Sequence, residues 1–586
     1  MIMNKTELLL NEGWKFHFGE CEEAWYQGYD DRAFERVMLP HDWAVAYPFS
    51  KQYSSGTGYL TGGIGWYRLH FYLPEEYQGK AIRLVFDGVY KNSQVWVNSY
   101  YQGKHPYGYT GFSYDISGIA HFGEQENVVS VKVTHTDIAD SRWYTGSGIT
   151  RKVTLVVEEQ VHPAEYGVTF VTEKLVADGK EFPEVQAAVS IHHEICNQTK
   201  EQKTCVVCTK LSDPQGTPVA EWKEQVQIPA GNMVSCNIYG TIREPRCWSP
   251  EHPDLYGMET WYETTDEDGK KISYLADTQK VGIRVAEFDA DRGFFLNGVP
   301  MKIKGVCVHH DAGCLGAAVT KEIWHRRLAK LKECGCNAIR CSHNPHMPEL
   351  YELCDTMGFL VMDEAFDYWY RMKSPNSPYN RYFMQDFKVD TAAMVQDAYN
   401  HPSVVIYSIG NEIPEAGGVK GVRVGKEIVD AIHALDTTRP TTLCPSVHWL
   451  REYLDGTPYL TTDEDEWMRD DPERQKSDWM HYASIFRSAV NNLPDNEKGQ
   501  VYPETYIRMD EDATKNLYPY LDIAGYNYYE DRYEVLHKLH PERVLLGTET
   551  RHTMLPDTMK FAKTHPYLIG DFVWTLQSHL GEINCC

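Results

Sequence analysis

The 586-residue chain contains no long hydrophobic run. Nothing in it approaches the ~20 apolar residues that span a bilayer, which excludes a membrane-crossing helix. The N-terminus reads "MIMNKTELLLNEGWKF", and its apolar run of three leucines is too short for a signal-peptide core. Basic excess is missing as well. Against 57 Lys and Arg stand 83 Asp and Glu, a net charge of −26 that repels nucleic-acid phosphates and keeps the chain soluble. Metal-type cysteine spacing is also absent. The 15 Cys are scattered, and the close pairs Cys334/Cys336 and Cys585/Cys586 do not have zinc-site spacing. With an odd count and no export signal, they are expected to be reduced thiols in a cytoplasm.

Hydrophobic content of 42% and charged content of 24% fit a globular protein, and the length suits three or four domains, fewer if one is a barrel. Aromatic content is high, with 39 Tyr and 15 Trp, which serves either sandwich cores or flat platforms for sugar rings. Residues 1–160 read as a β-sandwich. Short alternating runs such as "IRLVFDGV", "SQVWVNSYY" and "NVVSVKVTH" are separated by turn residues. Residues 161–295 repeat this rhythm in a second, smaller sandwich, with "QAAVSIHHEI", "TCVVCTKL" and "YGMETWYETT". From 296 to 586 the pattern changes. Apolar strands alternate with amphipathic segments such as "TKEIWHRRLAKLKECG", where Gly335 ends the helix. Eight strands in this alternation predict a (β/α)8 barrel, whose strands are buried on both faces and read as continuous apolar runs. An acidic, aromatic stretch at 448–517 interrupts the alternation, and its segment "MHYASIFRSAVNNL" has helical spacing.

Two apolar strands end on carboxylates: "VVIYSIGNE" on Glu412 and "RVLLGTET" on Glu549. A buried carboxylate is costly without a partner. Barrel sites lie at the C-terminal strand ends, so the fourth and seventh strands bring both glutamates to one mouth. Other tips there are polar: His309, His310, Arg340, His343, Asp363, Glu364, Asn527, Tyr528, Tyr529 and Trp574. Two carboxylates can cleave an acetal, one protonating the leaving oxygen and the other attacking or stabilising the anomeric carbon. Neighbouring negative charge raises the pKa of the acid member.

The motifs "LPHDW" (39–43), "SRWYTGSGITRKV" (141–153), "KIKGVCVHHD" (302–311), "NAIRCSHNPH" (337–346), "DEAFD" (363–367), "HPSVVIYSIGNE" (401–412), "GYNYY" (525–529), "GTET" (547–550) and "FVW" (572–574) occur in this order. In them the chain resembles the family-two glycoside hydrolases, the β-galactosidase and β-glucuronidase group. The resemblance implies a jelly-roll-like sandwich, an immunoglobulin-like sandwich and a catalytic barrel. It implies Glu412 as general acid/base and Glu549 as nucleophile. Asn411 would meet the sugar 2-hydroxyl, and His309 and His343 would line the pocket. Tyr528 would hydrogen-bond the nucleophile, Trp574 would lie under the ring, and Arg340 would keep Glu549 ionised. Asp367 and Trp369 are further candidates to reach substrate, and Arg142 and Trp143 to extend from the first sandwich toward the barrel. The forms "LPHDW", "RWYTGSG" and "DEAFD" are more similar to the galactosidase branch, so a terminal β-galactoside is the expected substrate and a β-glucuronide the alternative. Family resemblance also admits a bacterial origin, a homo-oligomer, and Mg2+ or Na+ near the acid/base, without placing ligands here; no metal site is assigned.

Two rivals from other classes stand beside this. "VHHD" invites a metal-dependent barrel hydrolase, although adjacent strand residues such as His309 and His310 point to opposite faces. The ending "WTLQSHLGEINCC", where the family has a "DYLGE"-like element and then an eighth helix, invites a non-catalytic sugar-binding protein. Without that helix an apolar face on strands one and eight is expected to be exposed.

Overall fold

The computed structural model describes residues 4–53, 57–136, 140–177, 185–265, 269–371, 379–447, 450, 504–576 and 580. In the first sandwich, six strands lie in the spatial order Glu35–Val37, Trp14–Phe18, Gly63–Tyr72, Glu126–His135, Ser93–Val97 and Tyr100–His105. They face a sheet of Thr6–Leu9, Val153–Glu158, Ala81–Phe86 and Phe112–Asp115. Alternate residues, among them Val95, Val97, Val131, Leu84 and Leu155, meet in its core. The second sandwich pairs three strands (Val161–Ala177, Val185–Asn197, Asn232–Arg243) with four (Pro218–Ile228, Lys203–Ser212, Tyr256–Thr265, Lys271–Val281). Its strand Val185–Asn197 buries every second side chain, the pattern of a sheet with one wet face.

A short meander, Ala286–Asp289, Gly293–Leu296 and Val299–Met301, sends Phe294 and Leu296 into the same apolar cluster as Ile303, Ile406, Leu546 and Ile569 of the barrel interior. Asn297 and Gly298 both have positive φ in its tight second turn, as a two-residue hairpin connection of this hand requires.

The barrel strands are β1 (Ile303–Val308), β2 (Ala338–Cys341), β3 (Leu360–Glu364), β4 (Val404–Asn411), β5 (Thr441–Cys444), β6 (Ala524–Asn527), β7 (Leu545–Arg551) and β8 (Leu568–Trp574). Each is parallel to its neighbours from β5 back through β1 to β8, β7 and β6. The amides of Asp522 and Ile523 donate to Thr441 O, and that of Asn527 to Pro445 O, which joins β6 to β5. All eight residues of β4 are buried, as expected of a strand packed on both faces. The described helices include α1 (Lys321–Glu333), α2 (Pro348–Met357), α3 (Asn380–Ala398), α4 (Val419–Leu435), α5 (Glu504–Thr514), α6 (Tyr533–Leu539) and α7 (Leu555–Thr564). Past α1, Gly335 adopts φ +81, the left-handed conformation that stops a helix.

The exposed apolar face expected on β1 and β8 is corrected by the structure. Val306 and Val308 pack in one cluster with Trp324 and Leu328 of α1, and Leu568 joins Ala562 of α7 there. Ile569 and Phe572 point inward and are buried. Flanking helices therefore cover much of this face, while Val573 of β8 stays half-buried. Leu580 packs against the core of the first sandwich. The helical reading of "MHYASIFRSAVNNL" and most of the 448–517 stretch lie outside the described residues.

Candidate active site

Arg340 is the centre of the site. β2 carries it, and its guanidinium has no solvent exposure. Nη1 donates to Glu549 at 2.9 Å and to Thr548 O at 2.9 Å. Nη2 donates to Asn411 Oδ1 at 2.9 Å and to Glu364 at 2.8 and 2.9 Å, and Nε donates to Glu364 at 3.1 Å. One planar cation thus ties together β3, β4 and β7, a geometry that lysine's point charge does not provide. Burial works against this charge, but the surrounding acidic groups, Cys444, Glu364 and Glu549 among them, hold the Arg340 pKa above its ordinary value.

Glu549 is nearly fully buried. Burial is the largest influence on its carboxyl and pushes it up; Arg340 and the Tyr528 hydroxyl pull down, while the Glu412 charge adds to the rise. The outcome is a carboxyl pushed up to about 7. Arg340 acts in the direction expected of it, favouring the ionised form, and desolvation opposes it more strongly in the free site. Tyr528 donates its phenol proton to Glu549, and its own pKa is driven up by burial and by that carboxylate. Its amide also donates to Glu549 O at 2.7 Å.

Glu412 follows the last residue of β4 and is partly exposed to the mouth. Its amide donates to Cys444 O at 2.7 Å, and Oε1 accepts from Asn527 Nδ2 at 3.3 Å. Both Glu412 (φ +46) and Tyr528 (φ +57) lie in the left-handed region, uncommon for residues with side chains. Strain of this kind persists where surrounding bonds over-determine it, and here both amides are held by neighbouring strands. The Asn411 amide has a defined orientation, its Oδ1 accepting from Arg340 and from Asn527 at 3.1 Å, and its Nδ2 donating to Asp367 at 3.0 Å.

Asp367 in turn is held by a bidentate pair with Arg142 of the first sandwich, at 2.6 and 3.0 Å. Trp143 follows, stacking on His309 with ring centroids 5.5 Å apart and meeting His343 edge-on at 5.4 Å. The first sandwich therefore supplies part of the wall. Trp574, half-buried at the end of β8, lies parallel to His343 at 5.2 Å and edge-on to His309 at 5.2 Å. His309 Nδ1 contacts Ser342 O at 3.1 Å.

Glu412, Glu549, Asn411, His309, His343, Arg340, Tyr528, Trp574 and Asp367 are thus brought to one barrel mouth. Trp369 is not. Its indole is fully buried and donates to Ile409 O at 3.1 Å, a packing position. His310 points away from the mouth, against Trp324 and His346, as opposite strand faces require. Among the described residues no group of three or more His, Cys, Asp or Glu side chains is arranged to hold a metal ion. Nor, among them, is any helix long and apolar enough to cross a membrane. Two participants went unassigned in the sequence: Glu364, which braces Arg340 and His343, and Asn527, which bridges Asn411 and Glu412. "DEAFD" contained the signal for the first, since one of two adjacent acids at a strand tip must face inward.

Three family profiles match the chain in order: "Glycosyl hydrolases family 2, sugar binding domain" over residues 19–158, "Glycosyl hydrolases family 2" over 169–284, and "Glycosyl hydrolases family 2, TIM barrel domain" over 289–481. The chain is 42% identical over 407 residues to "Beta-galactosidase BoGH2A" of Bacteroides ovatus, covering 69% of this chain and 46% of that protein. It is 27% identical over 591 residues to a "Beta-glucuronidase" of Bacteroides fragilis, covering 98% and 76%. Against the first of these relatives, the chain spans about half the length. A solved family-two member from Bacteroides cellulosilyticus superposes with a TM-score of 0.79 at 32% identity, over 99% of this chain and 68% of that one. Two sandwiches, a barrel whose fourth and seventh strands deliver Glu412 and Glu549, and these matches lead to one assignment: the chain belongs to glycoside hydrolase family 2.

Proposed function

We propose that the chain is a retaining glycosidase acting on terminal β-D-galactosides through a covalent glycosyl-enzyme intermediate. The observation that carries this is the shared placement of Glu412 and Glu549, one partly exposed to the mouth and one buried against Arg340 and Tyr528. Glu549 attacks the anomeric carbon. Its charge is then spent in a covalent bond, and Arg340 and Tyr528 hold the carboxylate on line as it forms and as it leaves. Glu412 gives a proton to the departing oxygen and later takes one from the incoming water. Asn411, its amide oriented by Arg340, Asn527 and Asp367, meets the 2-hydroxyl, where a bond that strengthens in the transition state lowers the barrier. Trp574, half-buried at the mouth, supplies an apolar face for the ring, with Trp143 packed behind it against His309.

The galactoside reading is supported by the 42%-identical relative named a β-galactosidase. A β-glucuronide is the second reading, favoured by the relative of that name that aligns along 98% of the chain. Both are tested with a panel of nitrophenyl β-glycosides. Cleavage of the galactoside but not the glucuronide is expected. Glu549→Gln should lose at least ~10^3-fold in kcat on every substrate. Glu412→Gln should lose far more on alkyl than on dinitrophenyl glycosides, because a good leaving group needs no proton. Equal losses on both leaving groups would remove Glu412 from the acid role.

A further inference from the structure

We propose that Glu364 is a positioning residue, one that holds His343 as its Nδ1–H tautomer and fixes the orientation of Arg340 beside Glu549. The inference rests on reading Glu549 as the nucleophile, but its first test does not depend on turnover.

Glu364 ends β3 with zero exposure, yet it touches neither solvent nor the mouth directly. Both of its oxygens are surrounded by donors. Oε1 receives His343 Nδ1 at 2.7 Å and Arg340 Nη2 at 2.9 Å. Oε2 receives Arg340 Nη2 at 2.8 Å, Arg340 Nε at 3.1 Å, Ser408 Oγ at 2.7 Å and Cys444 Sγ at 3.1 Å. Only an ionised carboxylate accepts this many bonds without a mismatch. A buried carboxylate so completely satisfied is a rigid anchor rather than a reactant.

The imidazole of His343 is the informative partner. Its Nδ1 lies 2.7 Å from Glu364 Oε1 and 3.2 Å from Arg340 Nη2. Arginine can only donate, and a carboxylate can only accept. Nδ1 therefore has two incompatible invitations. The shorter, charge-assisted contact decides: Nδ1 carries the hydrogen and donates it to Glu364, since a lone pair facing a carboxylate at 2.7 Å would be repulsive. A second proton on Nε2 would make an imidazolium adjoining the guanidinium, and the acid facing that nitrogen, Glu549 Oε1, is 3.8 Å away, beyond hydrogen-bond reach, and already held by Arg340 and Tyr528. The neutral Nδ1–H form remains, with a lone pair on Nε2.

That lone pair has a direction. Nε2 lies 3.8 Å from Glu549 Oε1, and the ring is clamped parallel to Trp574. Any substrate group that meets Nε2 must then be a donor, a hydroxyl and not a carboxylate.

The test is the tautomer itself. In protein labelled with 15N-histidine, two-bond proton–nitrogen correlations distinguish the two neutral tautomers and the imidazolium, with His343 assigned by the signal lost in His343→Gln. The expected wild-type state is Nδ1–H with unprotonated Nε2. Either Nε2–H or imidazolium in the wild type overturns the proposal, whether or not any Glu364 variant folds. In Glu364→Gln the new amide places an NH2 where donors already point, and His343 is the neighbour on the Oε1 side that can change from donor to acceptor. Where this variant folds, the tautomer should switch to Nε2–H, and kcat should fall about 10^2-fold with a smaller change in KM. A folded variant with the wild-type tautomer overturns the proposal as well. Wild-type tautomer as expected but no turnover on any glycoside would instead remove the catalytic reading and leave the positioning role intact.

Discussion

At Glu549, burial and charge oppose each other, and this balance is open to a direct experiment. The group must be ionised to attack, and its carboxyl is pushed up to about 7, mainly by desolvation. Turnover should therefore be lost as pH falls through the range just below neutrality. The Tyr528 hydroxyl stabilises the ionised form, so removing it raises the Glu549 pKa further. Tyr528→Phe should move the acidic limb of kcat/KM to higher pH, by about one unit or less, and lower the plateau. A pH-rate profile of wild type and variant checks this, and a limb moving to lower pH would contradict the assignment. Much of this site is legible in the sequence. Glu412 and Glu549 stand out because an apolar strand ending on a carboxylate demands an explanation, and Arg340, His309 and His343 lie at the same strand ends. The roles of Glu364 and Asn527 are not legible there, since strand sequence does not say which neighbouring side chain closes a bond. Of the adjacent acids in "DEAFD", Asp363 accepts from Tyr351 at 2.9 Å on the outer side, while Glu364 turns in to Arg340. The dominance of burial over Arg340 at Glu549 also depends on desolvation, which no motif reports.

The elements show the same division. All eight barrel strands are legible, because parallel strands buried on both faces read as continuous apolar runs, as β4 does. What covers β1 and β8 is not, because helix packing is set by three-dimensional neighbours such as Trp324 and Ala562. Two glycines that close helices separate backbone strain from contact. Gly335 after α1 has φ +81, and a Cβ there would meet nothing within 4 Å. Gly358 after α2 has φ +71, and a Cβ there would lie 2.2 Å from the Pro250 carbonyl oxygen. That carbonyl belongs to the loop between strands Asn232–Arg243 and Tyr256–Thr265 of the second sandwich, and Lys332 Nζ of α1 donates to Pro250 O at 3.0 Å and to Gly358 O at 2.7 Å. Gly335→Ala should cost only the left-handed penalty, about 1 kcal/mol. Gly358→Ala should cost that plus overpacking against backbone, about 2–4 kcal/mol in all. Chemical denaturation of both variants reads the difference. Equal losses would mean that the joint yields to the added methyl and does not lock the second sandwich to α2.

Across the whole molecule, several buried carboxyls shift in the same direction, and together they set the pH at which the fold is most stable. Burial pushes Asp87, Asp363 and Asp390 up to about 7 and Asp571 up to about 8. They are spread over the first sandwich, β3, α3 and β8. A carboxyl whose folded pKa is raised binds its proton more tightly folded than unfolded. Its contribution is complete below the unfolded value and is lost as pH rises through the folded value. These four, with Glu549, therefore favour the fold most strongly on the acid side and lose that contribution progressively from about pH 4 up to about pH 8. Asp31 works in the opposite sense. Burial opposes its charge, but Lys15, His70 and Arg68 hold it at about 2, so its contribution disappears only as pH falls below the ordinary carboxyl range. Asp140, held below the ordinary range by Lys91 and His135 against burial, behaves likewise. Thermal stability should then peak near about pH 4 to 5, fall by several degrees from there toward pH 8, and fall again below about pH 4 as Asp31 and Asp140 lose their contributions. The net charge of −26 also grows with pH and would produce a decline of the same sign through self-repulsion. Salt separates the two causes, because it screens surface charge but not a buried proton. Calorimetric Tm values at about pH 6 and pH 8 should keep most of their difference in roughly 0.5 M NaCl, and Asp390→Asn should reduce that difference. A Tm that is flat with pH at high salt would assign the decline to surface repulsion instead.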